Sequence, residues 1–136
     1  MIRKLARASL LLALLSCIAL PVTAQEPAGG TVAPPDSALT ARFSSFFGAV
    51  ASGHVPGGNL TPQVKSGLTQ QLIAQIDSGF SSLGHFHRLE FVSADSMQGY
   101  ARYHYRAVFD NGAQGVMFIT DSSGAIAGFF EDPSVQ

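Results

Sequence analysis

Three of the four histidines are the side chains of this 136-residue chain that most readily suggest chemistry. A single residue separates His85 from His87, and His104 follows in the same half of the chain. Such a set could hold zinc, which takes three or four converging ligands. However, side chains alternate between the faces of a strand, and this alternation predicts that His87 points inward and His104 outward. We therefore expect no metal site and no cofactor, with His85 in a turn and His104 on the surface.

A second possible chemistry is proton transfer. His87 is a single polar group on the apolar face that it would share with Leu89 and Phe91, and Asp77 lies late in a predicted helix. Either could act as the base of a pocket isomerase or lyase, with the hydroxyl of Tyr103 as the donor. The sequence contains no G-x-S-x-G, S-x-x-K, H-E-x-x-H or phosphate-binding glycine loop. The catalytic candidates are thus His87, Asp77 and Tyr103, and the overall pattern favours a non-catalytic protein.

The elements that must position these residues are three helices followed by four strands. Asp36 or Ser37 can cap the first helix, which Gly53 ends. Thr61 with Pro62 begins a short second helix, and Thr69 caps the third, which Gly84 ends. After Gly84 the apolar period changes from helical to alternating, with a loop at 94–99 and turns at 110–112 and 121–124. The order predicts an α+β fold, three N-terminal helices packed on a four-stranded antiparallel sheet.

The longest predicted strand, 100–109, separates an apolar, tyrosine-bearing face from a charged face. The apolar face should pack on the helices and could leave a pocket for a small apolar ligand. The predicted pocket lining is Phe43, Phe47, Ile76, Phe80, His87, Tyr103 and Tyr105. The charged face would suit a homodimer or another partner, since Tyr and Arg are enriched at interfaces. Its residues are Tyr100, Arg102, His104 and Arg106.

The N-terminal residues 1–24 have the pattern of a secretory signal peptide. Three basic residues precede an apolar run that is too short to span a bilayer, and small residues precede a cut after Ala24. Residues 14–17 also resemble a lipobox, which would make Cys17 a lipid anchor. We favour cleavage after Ala24, which predicts an exported protein, periplasmic or secreted, with no membrane span left after cleavage.

Cleavage there would leave one domain, residues 37–133, behind a flexible linker at 25–36 that is rich in Pro, Gly and Ala. The chain has a single cysteine, at position 17, so the mature domain is expected to lack a disulfide. The whole chain after residue 24 would keep all nine acidic residues but only five of the eight basic ones. A nucleic-acid-binding domain is usually basic, so this class is not expected.

Three stretches together resemble a known group of proteins: residues 60–91, the tyrosine-rich strand, and the FITDSSGAIAGFF hairpin at 118–130. They are similar to a bacterial family of unknown function within the nuclear-transport-factor-2-like (SnoaL-like) superfamily, over roughly residues 38–132. The resemblance implies a cone in which a curved sheet wraps around helices and leaves a pocket. It also implies an accessory or binding role, with a separate hydrolase chain or a second copy as partner.

Overall fold

The computed structural model describes residues 30–135. The predicted signal peptide and linker residues 25–29 lie outside the described residues. In chain order the elements are β1 (Gly30–Thr31), α1 (Ser37–Ala51), α2 (Pro62–Gly67), α3 (Gln70–Phe80), a single 3₁₀ turn (Ser81–Leu83), β2 (Phe86–Met97), β3 (Tyr100–Phe109), β4 (Gly112–Thr120) and β5 (Ile126–Glu131).

Each helix begins at the capping residue that the sequence indicates. The carboxylate of Asp36 accepts a hydrogen bond of 2.7 Å from the backbone N–H of Leu39. The Thr61 hydroxyl caps α2, with Pro62 at its first position, and the Thr69 hydroxyl caps α3. These bonds satisfy N–H groups that have no acceptor inside a helix, and they fix where each helix starts.

The sheet is antiparallel and its strands lie in chain order, β1-β2-β3-β4-β5. The predicted α+β class is confirmed. The sheet has five strands rather than the predicted four, because Gly30 and Thr31 pair with Ser96 and Asp95 of β2. This pairing places two residues of the predicted linker at the edge of the sheet.

The strand β2 is longer than the sequence predicts. Residues 94–97 stay paired with β3, so the loop predicted at 94–99 is wrong. The actual connection is the two residues Gln98 and Gly99, both with positive φ (54° and 84°). Two such residues match the right-handed twist of a tight hairpin. The prediction failed because Ser93 to Ser96 carry no apolar alternation.

The core lies between α1, α3 and the inner face of the sheet. Along β3 every second side chain is buried, as predicted: Tyr103, Tyr105, Ala107 and Phe109. On α1 the buried residues are Phe43, Phe46, Phe47 and Val50. The ring centroids of Phe43 and Phe118 are 4.5 Å apart, and those of Phe47 and Phe86 are 4.7 Å apart. Aromatic packing thus dominates the interior.

The first of two irregularities in β2 reverses the predicted direction of His87. The register with β3 shifts between Phe86 and Arg88 and again between Phe91 and Ser93. A one-residue shift moves a side chain to the other face of the strand. Phe86 therefore takes the inward place against Phe47, and the His87 side chain is 52% exposed. The prediction that His87 points inward is wrong.

Candidate functional site

The residues predicted to line an interior pocket lie in the packed core, except for His87. Phe43, Phe47, Phe80, Tyr103 and Tyr105 belong to one cluster of buried side chains, and Ile76 packs against it. The Phe43 ring centroid is 5.4 Å from that of Tyr103 and 5.7 Å from that of Tyr105. These rings contact one another, and the clefts described below are lined by other residues.

The structure does not bring the catalytic candidates together. The His87 imidazole bonds to Asp110 at the end of the sheet, whereas Tyr103 is buried against Phe43. Asp77 lines a cleft of about 500 Å³ whose other walls include His85 but no tyrosine. Proton-transfer catalysis needs a base and a tyrosine donor that both reach one point. His87, Asp77 and Tyr103 do not provide this arrangement.

A groove of about 460 Å³ lies on the outer face of the sheet, opposite the aromatic core, and is bordered by Thr61 and Gln63 at the start of α2. We call it the outer groove. Its apolar walls carry side chains that are unusually exposed for their size: Phe130 at 53%, Tyr100 at 46% and Met97 at 40%. Its full lining is Thr61, Gln63, Met97, Gln98, Tyr100, Arg102, Ile119, Asp121, Ala127 and Phe130.

The predicted interface residues lie on this outer face, where three of them form ion pairs within the chain. The Arg102 guanidinium donates to Asp95 at 2.5 Å, and Arg106 donates to Glu90 at 3.2 Å. The Arg102 bond holds the pKa of Asp95 below its ordinary value, against the opposing effect of partial burial. Tyr100, by contrast, makes no ion pair and stays exposed in the outer groove.

His104 forms what we call the buried cluster, with Asp132 and Asp95. Its Nδ1 is 2.5 Å from Asp132 and its Nε2 is 3.4 Å from Asp95. The side chains of His104 and Asp132 are only 14% and 8% exposed. Burial raises the pKa of Asp132, but hydrogen bonds from His104 and Ser134 outweigh this and hold it below its ordinary value. His104 is thus not the surface residue that the sequence predicts.

The buried cluster also fixes the segment after β5 across the sheet. The backbone N–H of Asp132 donates to the carbonyl of Gly115 at 2.8 Å. A Cβ atom at Gly115 would lie 2.1 Å from the carbonyl oxygen of Asp132 and 2.4 Å from that of Val135. Only a residue without a side chain allows this approach.

His85, His87 and Asp110 form what we call the exposed cluster. Asp110 is in the turn between β3 and β4, directly beside the start of β2. Its two oxygens accept from different rings, at 2.9 Å from His85 Nδ1 and at 2.5 Å from His87 Nε2. The bond from the His85 backbone N–H, followed by those from the two rings, lowers the pKa of Asp110 to about 2.

This cluster could not be predicted from the sequence, because Asp110 is more than twenty residues from either histidine. Only the register of β2 against β3, which pairs Phe86 with Phe109, brings Asp110 to the histidines. Within residues 30–135, no three His, Cys, Asp or Glu side chains already surround a point suited to a metal ion. The exposed cluster holds its groups by hydrogen bonds instead.

Comparison with models of known protein families, with curated proteins and with solved structures found no match. Across residues 30–135 there is also no helix with the length and apolar character needed to cross a membrane.

Proposed function

We propose that this protein is an exported, non-catalytic binding domain whose ligand site is the outer groove. The observation that carries the proposal is the set of exposed apolar side chains, Met97, Tyr100 and Phe130, around a volume of about 460 Å³. Small-molecule sites have volumes of about 300–1,000 Å³, with mainly apolar walls and a few polar groups. We assign the site to a small apolar ligand.

The polar groups of the outer groove would orient such a ligand. Gln98 lies at the tight hairpin between β2 and β3, and Asp121 is at the turn after β4. The Asp121 carboxylate already accepts from Ser123 and from the backbone of Ala125. Arg102 is held by Asp95. Since these groups are largely partnered, apolar contact would supply most of the affinity.

The proposed architecture is the nuclear-transport-factor-2-like cone. Support comes from the antiparallel sheet with helices on one face and from the resemblance of the three sequence stretches named above. The proposed location outside the cytoplasm rests on the N-terminal pattern of residues 1–24. A separate hydrolase partner remains part of this proposal as the chain that such an accessory domain would serve.

The test is the binding of the dye 1-anilinonaphthalene-8-sulfonate, measured by fluorescence titration. We expect saturable binding to the protein and roughly tenfold weaker binding to the Phe130→Lys variant, which loses the exposed ring that the dye would cover. The matched control is Val92→Lys, because Val92 is also a strand residue, is 49% exposed, and lies outside the outer groove. Equal binding by the two variants would rule out the outer groove as the site.

The second candidate function is a homodimer through the same outer face, by way of Tyr100, Arg102 and Arg106. The fourth predicted interface residue, His104, is buried against Asp132. Tyr100 and Phe130 favour it, because exposed aromatic rings are typical of interface cores. Light scattering separates the two functions. A dimer mass that Phe130→Lys or Arg106→Glu reduces to a monomer mass would support the interface, and a monomer mass throughout would exclude it.

A further inference from the structure

A second apolar cleft, which we call the helix cleft, adjoins the outer groove along β5. It has a volume of about 290 Å³ and lies between β5 and the helices α2 and α3. Leu68, Leu72 and Ile76 line it on the helical side, and Phe129 lines it on the strand side. Among the described residues that line it, Gln63 alone has a polar side chain. The helix cleft therefore offers almost entirely apolar contact.

The helix cleft and the outer groove meet at the ring of Phe130. Both are lined by Gln63, Ala127 and Phe130. The Phe130 ring lies across Gly128, where a Cβ atom would be 2.8 Å from the ring. Because Phe130 is 53% exposed, its side chain is free to rotate. The ring is thus the shared wall of the two clefts, and its rotation would join them.

We propose that the ligand of the outer groove is an unbranched acyl chain with a small polar head, and that its tail passes Phe130 into the helix cleft. This inference rests on the proposed function, because it names the class of the small apolar ligand and extends its site. A rigid compound of fused rings would fit one of the two clefts. A flexible chain can fill both.

The shape of the combined site matches a long and narrow ligand. The outer groove crosses β3, β4 and β5, since Tyr100, Ile119 and Phe130 all line it. Neighbouring strands lie about 4.8 Å apart, so this crossing is about 10 Å long. Beyond β5 the helix cleft continues along α3 from Leu72 to Ile76, which adds about 6 Å. The path is bent at β5, so its occupant must also be flexible.

The charges along this path distinguish a head end from a tail end. Among the described residues that line the two clefts, only Arg102 and Asp121 are charged, and both belong to the outer groove. Arg102 pairs with Ile119 of β4, two residues before Asp121, so the two charges lie at the same end of the sheet. We therefore place the polar head at this end and the tail methyl group between Leu72 and Ile76.

The exposed apolar side chains along the path give the tail its affinity. Phe130 is 53% exposed and Leu72 is 38% exposed, and a chain that follows the path covers both. Each methylene group that leaves water raises the binding constant about fourfold. A chain that reaches the helix cleft should therefore bind more tightly than one that ends at Phe130.

Displacement of 1-anilinonaphthalene-8-sulfonate by hexanoate, octanoate and undecanoate tests this dependence on chain length. The compact control ligand is adamantanecarboxylate, which has the same number of carbon atoms and the same head as undecanoate. We expect undecanoate to bind at least about tenfold more tightly than hexanoate and than adamantanecarboxylate. Undecanoate that binds no more tightly than hexanoate would overturn the inference.

A pair of glycine variants tests whether the tail occupies the helix cleft. Gly67 lines this cleft at the end of α2, whereas Gly79 is in α3 and lines neither cleft. At both positions a Cβ atom would meet nothing within 4 Å, so both helices can accept a larger residue. Gly67→Trp should weaken undecanoate binding by roughly tenfold and leave hexanoate binding unchanged. The matched control Gly79→Trp should change neither.

A second variant in the helix cleft keeps the result independent of how the tryptophan packs. Leu72→Glu places a carboxylate beside the tail, and it should weaken undecanoate binding while leaving hexanoate binding unchanged. Its partial exposure in the native fold makes the substitution compatible with folding.

The outcomes separate this inference from the proposed function. Equal undecanoate binding by Gly67→Trp, Leu72→Glu and Gly79→Trp, while Phe130→Lys still weakens dye binding, would overturn the inference alone. Dye binding that Phe130→Lys does not weaken would overturn both. Light scattering on the undecanoate complex should give a monomer mass. A dimer that excludes undecanoate would assign the two clefts to a second copy of the chain and overturn the inference.

Discussion

The buried cluster and the exposed cluster contain the same kinds of group in opposite surroundings. Each joins histidine to aspartate across distant parts of the chain, with a shortest nitrogen–oxygen distance of 2.5 Å. In the buried cluster the side chains of His104 and Asp132 are 14% and 8% exposed, whereas His85 in the exposed cluster is 94% exposed. Distance alone therefore does not distinguish the two clusters. Access to water does.

This difference assigns different roles to the two clusters. Breaking a buried ion pair leaves a charge without water or partner and is strongly destabilising, whereas exposed pairs contribute little. We therefore assign His104 and Asp132 to stability, because they fix the segment after β5 over Gly115. His85 and His87 can leave their partner at little cost, and such groups are available for binding.

The largest effect is expected from His104→Ala. Its loss leaves the buried Asp132 carboxylate without its imidazole partner, and a hydrogen bond to a charged group contributes about 1.5–3 kcal/mol. We expect the free energy of unfolding to fall by about 2 kcal/mol in urea denaturation. A fall below about 0.5 kcal/mol, the range of ordinary surface substitutions, would contradict the structural role of the buried cluster.

Acidification should produce the next largest effect. The pKa values of Asp95, Asp110 and Asp132 are lower in the folded protein than the value of about 3.9 for an unfolded chain. The unfolded state therefore takes up protons first. The stabilisation is complete above about pH 5 and is lost as the pH falls through the folded values, and the value for Asp110 is about 2.

Urea midpoints between pH 7 and pH 2 measure this loss. His104→Ala should make the fall shallower because Asp132 no longer has its imidazole donor, and His54→Ala should leave the profile unchanged. Identical profiles for these two variants would remove the buried cluster as a source of the acid sensitivity.

The smallest effect is expected from His85→Ala. Its ring is almost fully in water, so its loss should change the free energy of unfolding by no more than about 0.5 kcal/mol, although it removes a hydrogen bond of 2.9 Å. Urea denaturation beside His104→Ala makes the comparison direct. A change as large as that of His104→Ala would mean that exposure does not separate the two clusters.

The features that the sequence predicts well are local. Asp36, Thr61 and Thr69 cap their helices because a cap needs only the next three residues. The alternation along β3 correctly predicts its buried face, since no irregularity interrupts its pairing with β4. Such patterns depend on neighbours in the chain and on little else.

The features that the sequence misses depend on register. The register shift between Phe86 and Arg88 turns His87 outward, and no residue type in this stretch predicts that shift. Asp110 and Asp132 reach their histidines only because particular strands pair at particular residues. Gly30 and Thr31 pair with β2, although the composition of their segment is typical of a flexible linker. A site built from such contacts needs the folded geometry before it can be recognised.

The order of the sheet has a consequence for how the chain folds. The strands β2 to β5 are consecutive neighbours, and the turns between them are short, with two residues at 98–99 and two at 110–111. Each hairpin can close from nearby residues, which costs little loop entropy. α1 must instead bring Phe43 to Phe118 across most of the domain. Since local contacts form faster, we expect the hairpins to assemble first and α1 to dock on a sheet that already exists.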